Sequence, residues 1–145
     1  MTSNIREFEL SVKRETEEAL DRFTQFKAQV AADGASGVIE KTPVDTGNLV
    51  NSWTVNAGSV SLGAGAVGGG SGPSLSASEA DQLRQAKASS AAGAARVAAR
   101  ASDLIEIVNG AEYAVYVEQG TSRVAPRGMV STTITELRSK YDRVT

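Results

Sequence analysis

Residues 42–53 read Thr42-Pro43-Val44-Asp45-Thr46-Gly47-Asn48-Leu49-Val50-Asn51-Ser52-Trp53, and this run decides how the chain leaves its first helix and enters a sheet. Pro43 fixes its own φ and biases Thr42 away from helix, Asp45 is placed to accept hydrogen bonds from backbone N–H groups just ahead of it, and Gly47 is free to take a positive φ. The run predicts a helix end, a turn, and a strand from Leu49 to Asn56. Trp53, the only tryptophan, falls on that strand, where burying so large a ring contributes on the order of 2 to 3 kcal/mol. Pro43, Asp45, Gly47 and Trp53 are therefore expected to be structural, as turn residues and a core anchor.

Upstream, Ile5, Phe8, Val12, Ala19, Phe23, Phe26 and Val30 recur at spacings of three, four or seven, with charged residues around the remaining face. This periodicity predicts a long amphipathic helix over about 4–32, its apolar stripe broken only at Glu15. Asp33-Gly34 is expected to interrupt or bend it, and Ser36 to Glu40 to resume it before Pro43. Such a helix shows more apolar length than one small sheet covers, so part of its stripe is expected to meet another subunit.

Downstream, a Gly/Ser-rich arm or loop occupies about 57–78, with Val60, Leu62 and Val67 its only sizeable apolar residues before Leu75. Its first half is suited to a strand and hairpin, and Gly68 to Pro73 to a linker or loop tip. By itself the segment buries too little surface to offset its backbone entropy, and order is expected to come from neighbouring chains. Ser76-Ala77-Ser78-Glu79 has the spacing of a capping box for an alanine-rich helix over Glu79 to Ala101, with Leu83, Ala86, Ser90, Ala94, Val97 and Ala101 inward. Asp103 to Asn109 reads as a strand, closed by an Asn109-Gly110 turn. Glu112 to Glu118 fits a strand through Tyr113, Val115 and Val117, or a helical face through Tyr113, Tyr116 and Val117. After Gly120 a last helix is expected from Pro126 or a neighbour, with Met129, Ile134 and Leu137 inward and Tyr141 near its end. The fold class is α+β: a single domain over 1–145 with a long N-terminal helix, a small mostly antiparallel sheet from about 49–67 and 103–109, an inserted Ala-rich helix and a C-terminal helix.

The chain has 145 residues, 41% apolar and 5% aromatic, so one core must be filled largely by Ala, Val, Leu and Ile. It contains no cysteine and no histidine. Disulfides, thiolate or imidazole metal sites and every catalytic triad that needs an imidazole are excluded. The N-terminus lacks the apolar run of a signal peptide and no stretch has the length of a membrane span, which predicts a soluble protein made in the cytoplasm. A formal charge of −2 argues against wrapping duplex nucleic acid. The basic residues Arg123, Arg127, Arg138, Lys140 and Arg143, set against Glu136 and Asp142, form the one electropositive stretch.

Three short patterns resemble chemistry without its context. Asp45-Thr46-Gly47 is the tripeptide of aspartic proteases, in which two such loops share one proton between two carboxylates. One copy requires a homodimer, and here the tripeptide follows a helix and a Thr-Pro pair instead of an apolar strand. Gly63 to Gly68 matches G-x-G-x-x-G literally, but Gly69 to Pro73 cannot open the helix that holds a pyrophosphate. Glu112 and Glu118 lack the dense oxygen-ligand loop of a calcium site. Glu118 is expected to hold Gly120-Thr121 or to face Arg123 or Arg127. No residue is assigned to catalysis, a cofactor or a metal.

A second block, Asn109-Gly110-Ala111-Glu112-Tyr113-Ala114-Val115-Tyr116-Val117-Glu118-Gln119-Gly120-Thr121 with Ala125-Pro126-Arg127-Gly128-Met129-Val130, completes an order shared with known proteins. A long helix, TPVDTG-x-L-x-x-SW, a strand ending in Asn, YAxYVExGT and an APRGMV-type helix start resemble the neck or tail-completion family of tailed phages, lambda tail-completion protein-like, over roughly 5–56 and 103–140. The resemblance favours a short helix for 112–118 and implies a structural head-tail joining protein. It implies an oligomeric ring, sixfold by preference with twelve subunits as the alternative, joining the portal and connector side of the head to the tail. The implied partners are further copies, head-closure or connector proteins, and tail-terminator or tail-tube proteins, with DNA passing through unread and no membrane. The implied location is the neck of the virion, after assembly in the host cytoplasm. Tyr113, Tyr116, Glu118, Gly120, Thr121 and Arg127 are the expected subunit interface, since tyrosine and arginine are enriched where protein surfaces meet. The rival readings are an aspartic-protease-like homodimer built on Asp45-Thr46-Gly47 and an adaptor module without a virion role.

Overall fold

The structure is a computed structural model that describes residues 2–58, 60–61 and 73–142. Helix α1 runs unbroken from Thr2 to Glu40, so the interruption expected at Asp33-Gly34 does not occur. The Asp33 carboxylate is held away from the helix backbone by Gln29 Nε2, Lys140 Nζ and Tyr141 Oη. Gly34 sits where an added Cβ would lie 3.5 Å from both Ile107 and Leu137. A mid-helix glycine weakens local propensity by about 1 kcal/mol, and packing on that side keeps the helix whole.

Thr42 ends the helix as the sequence predicts, but the strand does not begin at Leu49. Asn48–Asn51 forms a single helical turn, α2. The N–H groups of Asn51 and Ser52 return to Gly47 O and Asn48 O at 3.0 Å, and Ser52 Oγ donates to Asn48 O at 2.7 Å. The turn drives the consecutive residues Leu49 and Val50 into the core, which a half-buried strand with its two-residue alternation cannot do. Strand β1, Trp53–Ala57, follows.

Beside β1 lie β2, Val60–Ser61, and β3, Ile105–Asn109, in the order β2-β1-β3, both antiparallel to β1. Trp53 pairs with Asn109, Val55 with Ile107 and Ala57 with Ile105. The strand expected to run on to 67 is described only at Val60–Ser61; its continuation and the glycine-rich Gly63 to Gly68 pattern lie outside the described residues.

Helix α3, Ala77–Ala101, opens on the capping box read from the sequence, with Ser76 Oγ accepting from the Glu79 N–H and Glu79 accepting from the Ser76 N–H. Of the residues expected inward, Leu83 and Ala94 are half-buried against the core, and the rest of the inward face is corrected. Ala80, Ala88, Ala91, Ala95, Ala98 and Ala99 are buried, whereas Ala86, Ser90, Val97 and Ala101 are exposed. In an alanine-rich helix more than one stripe has helical spacing, and the all-alanine stripe wins because it packs against α1, whose own inward residues include Ala28, Ala32 and Ala35.

Residues 112–118, open between helix and strand from their side chains alone, are helical: α4 spans Ala114–Gln119. The last helix, α5, spans Met129–Tyr141, three residues later than Pro126. Met129 and Thr133 are its buried residues, and Ile134, expected inward, is exposed. Thr133 is tolerated there because its hydroxyl donates to Met129 O at 2.6 Å and because Gly37 of α1 leaves it room; a Cβ on Gly37 would lie 2.9 Å from Thr133 Cγ2. One continuous core joins α1, α2, β1, α3 and Met129. No helix of the described residues is long and apolar enough to cross a membrane.

Candidate functional site

The two sequence blocks meet. A groove of about 570 Å³ is lined by Pro43 to Leu49 from the first block and by Tyr113, Val117 and Arg127 from the second. The seam is hydrogen bonded: Asn48 Nδ2 donates to Tyr113 Oη at 3.1 Å, Asn109 Nδ2 to Leu49 O at 2.9 Å, and the Gly110 N–H to Ser52 O at 3.0 Å. Asn109 Oδ1 also accepts from the Ala111 N–H at 2.9 Å, the turn that Asn109-Gly110 predicts.

Within the first block each residue has a mechanical task. Gly47 has φ +89°, a conformation that costs a residue with a Cβ about 1–2 kcal/mol. Asp45 accepts from Ser74 Oγ through its carboxylate and from the Leu75 N–H through its carbonyl, which ties the turn to the entry of α3 rather than to the backbone just ahead. Trp53 is 5% exposed. Its indole N–H donates to Thr42 Oγ1 at 2.9 Å, and that hydroxyl in turn donates to Val38 O at 2.6 Å. Arg84 of α3 closes the arrangement by donating to Thr42 O at 2.8 Å. Pro43 lies half-buried at the groove wall.

In the second block, Glu118 reaches the start of α5 instead of Gly120-Thr121 or a nearby arginine. Its two carboxylate oxygens accept the N–H groups of Val130 and Ser131, each at 3.0 Å. Gly128 stands at the N-cap of α5 with no side chain to offer, so Glu118 supplies from α4 the cap that the helix lacks. Burial disfavours the ionised form, but the N–H groups of Ser131, Val130 and Met129 outweigh it and hold the carboxyl below its ordinary range.

Gly120 has φ +79° and ψ 173°, a region open essentially to glycine alone. A Cβ there would come within 2.7 Å of Pro126 N and 2.9 Å of Val124 O. Thr121 folds the loop on itself, its N–H bonding Val124 O at 2.8 Å and its hydroxyl accepting from the Arg123 and Val124 N–H groups. The Arg127 N–H returns to Val117 O at 2.9 Å. Glu118, Gly120 and Thr121 thus shape the block from inside, while Tyr116 stands 64% exposed and Arg127 lies exposed at the groove rim.

A second surface lies far along α1. Every residue from Asn4 to Phe23 is exposed, an arm of about 30 Å at helical rise. On it Ile5, Phe8, Val12 and Phe23 form an apolar stripe open to solvent. The polar groups around the groove are a carboxylate bonded to a serine, an amide bonded to a tyrosine, a threonine and an arginine. Each of the two bonded polar pairs ties one chain segment to another, Asp45 to Ser74 ahead of α3 and Asn48 to Tyr113 ahead of α4. The signal for Glu118 as a helix cap lay in the sequence only as Gly128 at a helix start, with the acceptor ten residues upstream on another helix.

A family model described as "Bacteriophage HK97-gp10, putative tail-component" matches residues 6–120, more than half of the chain. No curated protein and no solved structure matches.

Proposed function

The chain belongs to the HK97-gp10-like family of bacteriophage tail components, and from that membership we propose that it is a structural protein of the phage neck, one subunit of a ring that joins the head to the tail. The observation that carries this reading is the exposed α1 arm. A soluble domain rarely leaves an apolar stripe of that length uncovered unless another surface covers it. The groove block, with Tyr116 and Arg127 outward, is a second and different surface, and a cyclic ring needs two different patches that meet between neighbours. Six subunits match the reading best and twelve are the alternative. The neighbours above and below are the head-closure or connector proteins and the tail-terminator or tail-tube proteins. The net charge of −2 suits a lumen through which DNA slides without phosphate contacts holding it.

The test has three parts. Sedimentation equilibrium of the purified chain should give a mass at six or twelve times the 15.0 kDa subunit as concentration rises. A phage lacking the gene should accumulate separate heads and tails that the purified protein joins in extracts. Asp45→Asn should leave joining intact; peptide hydrolysis that vanishes with this substitution would instead establish a protease.

A further inference from the structure

The helical layer runs on past the sheet. In it α1 packs against both α3 and α5, and above them α3 packs under β1 while β3 rests on α3 and α1 together. Nothing of the sheet stands above the gap between α1 and α5 among the described residues. That vacancy is an apolar groove of about 420 Å³, floored by Phe23, Phe26 and Val30 of α1 and Leu137 of α5 and walled by Ile105 and Ile107 of β3 and by Leu104 just before it.

The wall is an open strand edge. The bonds from the Gly110 N–H to Ser52 O and from the Gly58 N–H to Leu104 O extend the β1–β3 ladder at both ends. In an antiparallel ladder this phase turns the main-chain groups of Glu106 and Val108 toward β1 and those of Ile105, Ile107 and Asn109 outward. No backbone partner meets these outward groups among the described residues. An unpaired row beside an apolar trough is the arrangement that accepts an added strand, main-chain bonds giving affinity and the trough receiving alternate side chains.

We infer that this position is filled by β2 of a second copy of the chain, so that neighbouring subunits share one continuous sheet. β2 is the opposite edge of the sheet, and among the described residues no helix packs broadly beneath it. One side of the subunit therefore overhangs with a helix and the other with a strand, and the two overhangs fit each other. β2 and β3 both run antiparallel to β1, so a head-to-tail repeat brings them together parallel. Pairing β3 with β3 of a second copy would instead drive each α5 into the neighbour's helices. The inference rests on the ring reading and specifies its contact.

The absence of cysteine from the chain makes the test direct. Ser61→Cys is combined in one chain with Glu106→Cys, and separately with Val108→Cys, and the assembled proteins are oxidised and run on a denaturing gel. Within one subunit Asn56 lies between Ser61 and Glu106, which sets those two about 9.5 Å apart, beyond the roughly 7 Å limit for a disulfide. The expected result is a ladder of covalent multimers from at least one double variant and monomer from each single variant. No ladder from either pair, in protein that still assembles, overturns the shared sheet and leaves the ring reading standing. Covalent dimers from Glu106→Cys or Val108→Cys alone overturn it in favour of β3 meeting β3. A wild-type chain that stays monomeric at every concentration overturns both readings.

Discussion

Trp53 shows how one residue secures the turn into the sheet. Its ring fills the core while its N–H satisfies the buried Thr42 hydroxyl, so Trp53→Ala removes both and should lower stability by roughly 3–5 kcal/mol in chemical denaturation. Trp53→Phe keeps most of the packing, and its loss should be clearly smaller. Glu118 acts through charge. Folding lowers its pKa, so its contribution is fully present above the ordinary glutamate value and is lost as pH falls through the lower folded value. Glu118→Ala should cost about 1 kcal/mol at neutral pH, and Glu118→Gln should flatten the acid limb of the stability profile. At Gly120 the backbone conformation and the approach of Pro126 and Val124 coincide. Gly120→Ala should destabilise by about 1–3 kcal/mol or more from the backbone alone, and amide exchange should quicken in the loop from Thr121 to Arg127.

At the scale of elements, α1 divides into two parts with different duties. From Ala28 to Ile39 its residues enter the core, while from Asn4 to Phe23 none is buried. A helix stretch without tertiary contacts has only its own propensity to hold it. In dilute monomer, amides of the arm should therefore exchange much faster than those of the second half, and assembly should protect them. Ile5→Glu together with Phe8→Glu should leave the melting temperature of the monomer nearly unchanged, because both side chains are already in water, yet should reduce the assembled mass seen by light scattering. Unchanged assembly in that variant would free the arm from the subunit contact. Asp33 shows the opposite part of α1 being clamped: Lys140 and Tyr141 of α5 bond its carboxylate, and Phe26 meets the Tyr141 ring edge-on at 5.3 Å.

For the whole molecule, the question is whether the meeting of the two blocks serves the subunit or its neighbours. Pro43, Asp45, Gly47, Glu118, Gly120 and Thr121 hold the turns and the helix start of their own subunit, so within this block the proposed ring contact is tested at the exposed Tyr116 and Arg127. Tyr116→Ala or Arg127→Glu should retain the circular dichroism spectrum of the folded monomer while ring formation and the yield of joined particles fall. Normal assembly of both variants would mean that the block serves its own subunit, with the contact left to the α1 arm and the sheet edges.

The sequence alone determined what depends on residues within a turn of one another. The helix stop at Thr42-Pro43, the positive φ of Gly47, the Ser76–Glu79 capping box and the Asn109-Gly110 turn were all legible, because each is a local hydrogen bond or a steric restriction of the backbone. The long amphipathic helix and the α+β class followed from periodicity. Tertiary structure decided wherever local signals were degenerate. Asp33-Gly34 reads as a break, but contacts from β3 and α5 keep α1 continuous. The Ala-rich helix offers several equivalent stripes, and only packing on α1 chose the one through Ala88, Ala91 and Ala95. Leu49 and Val50 form a helical turn because the core takes both. The cap that Glu118 gives α5, and the bond between Asn48 and Tyr113 across 65 residues of chain, depend on distances that exist only once the elements have packed.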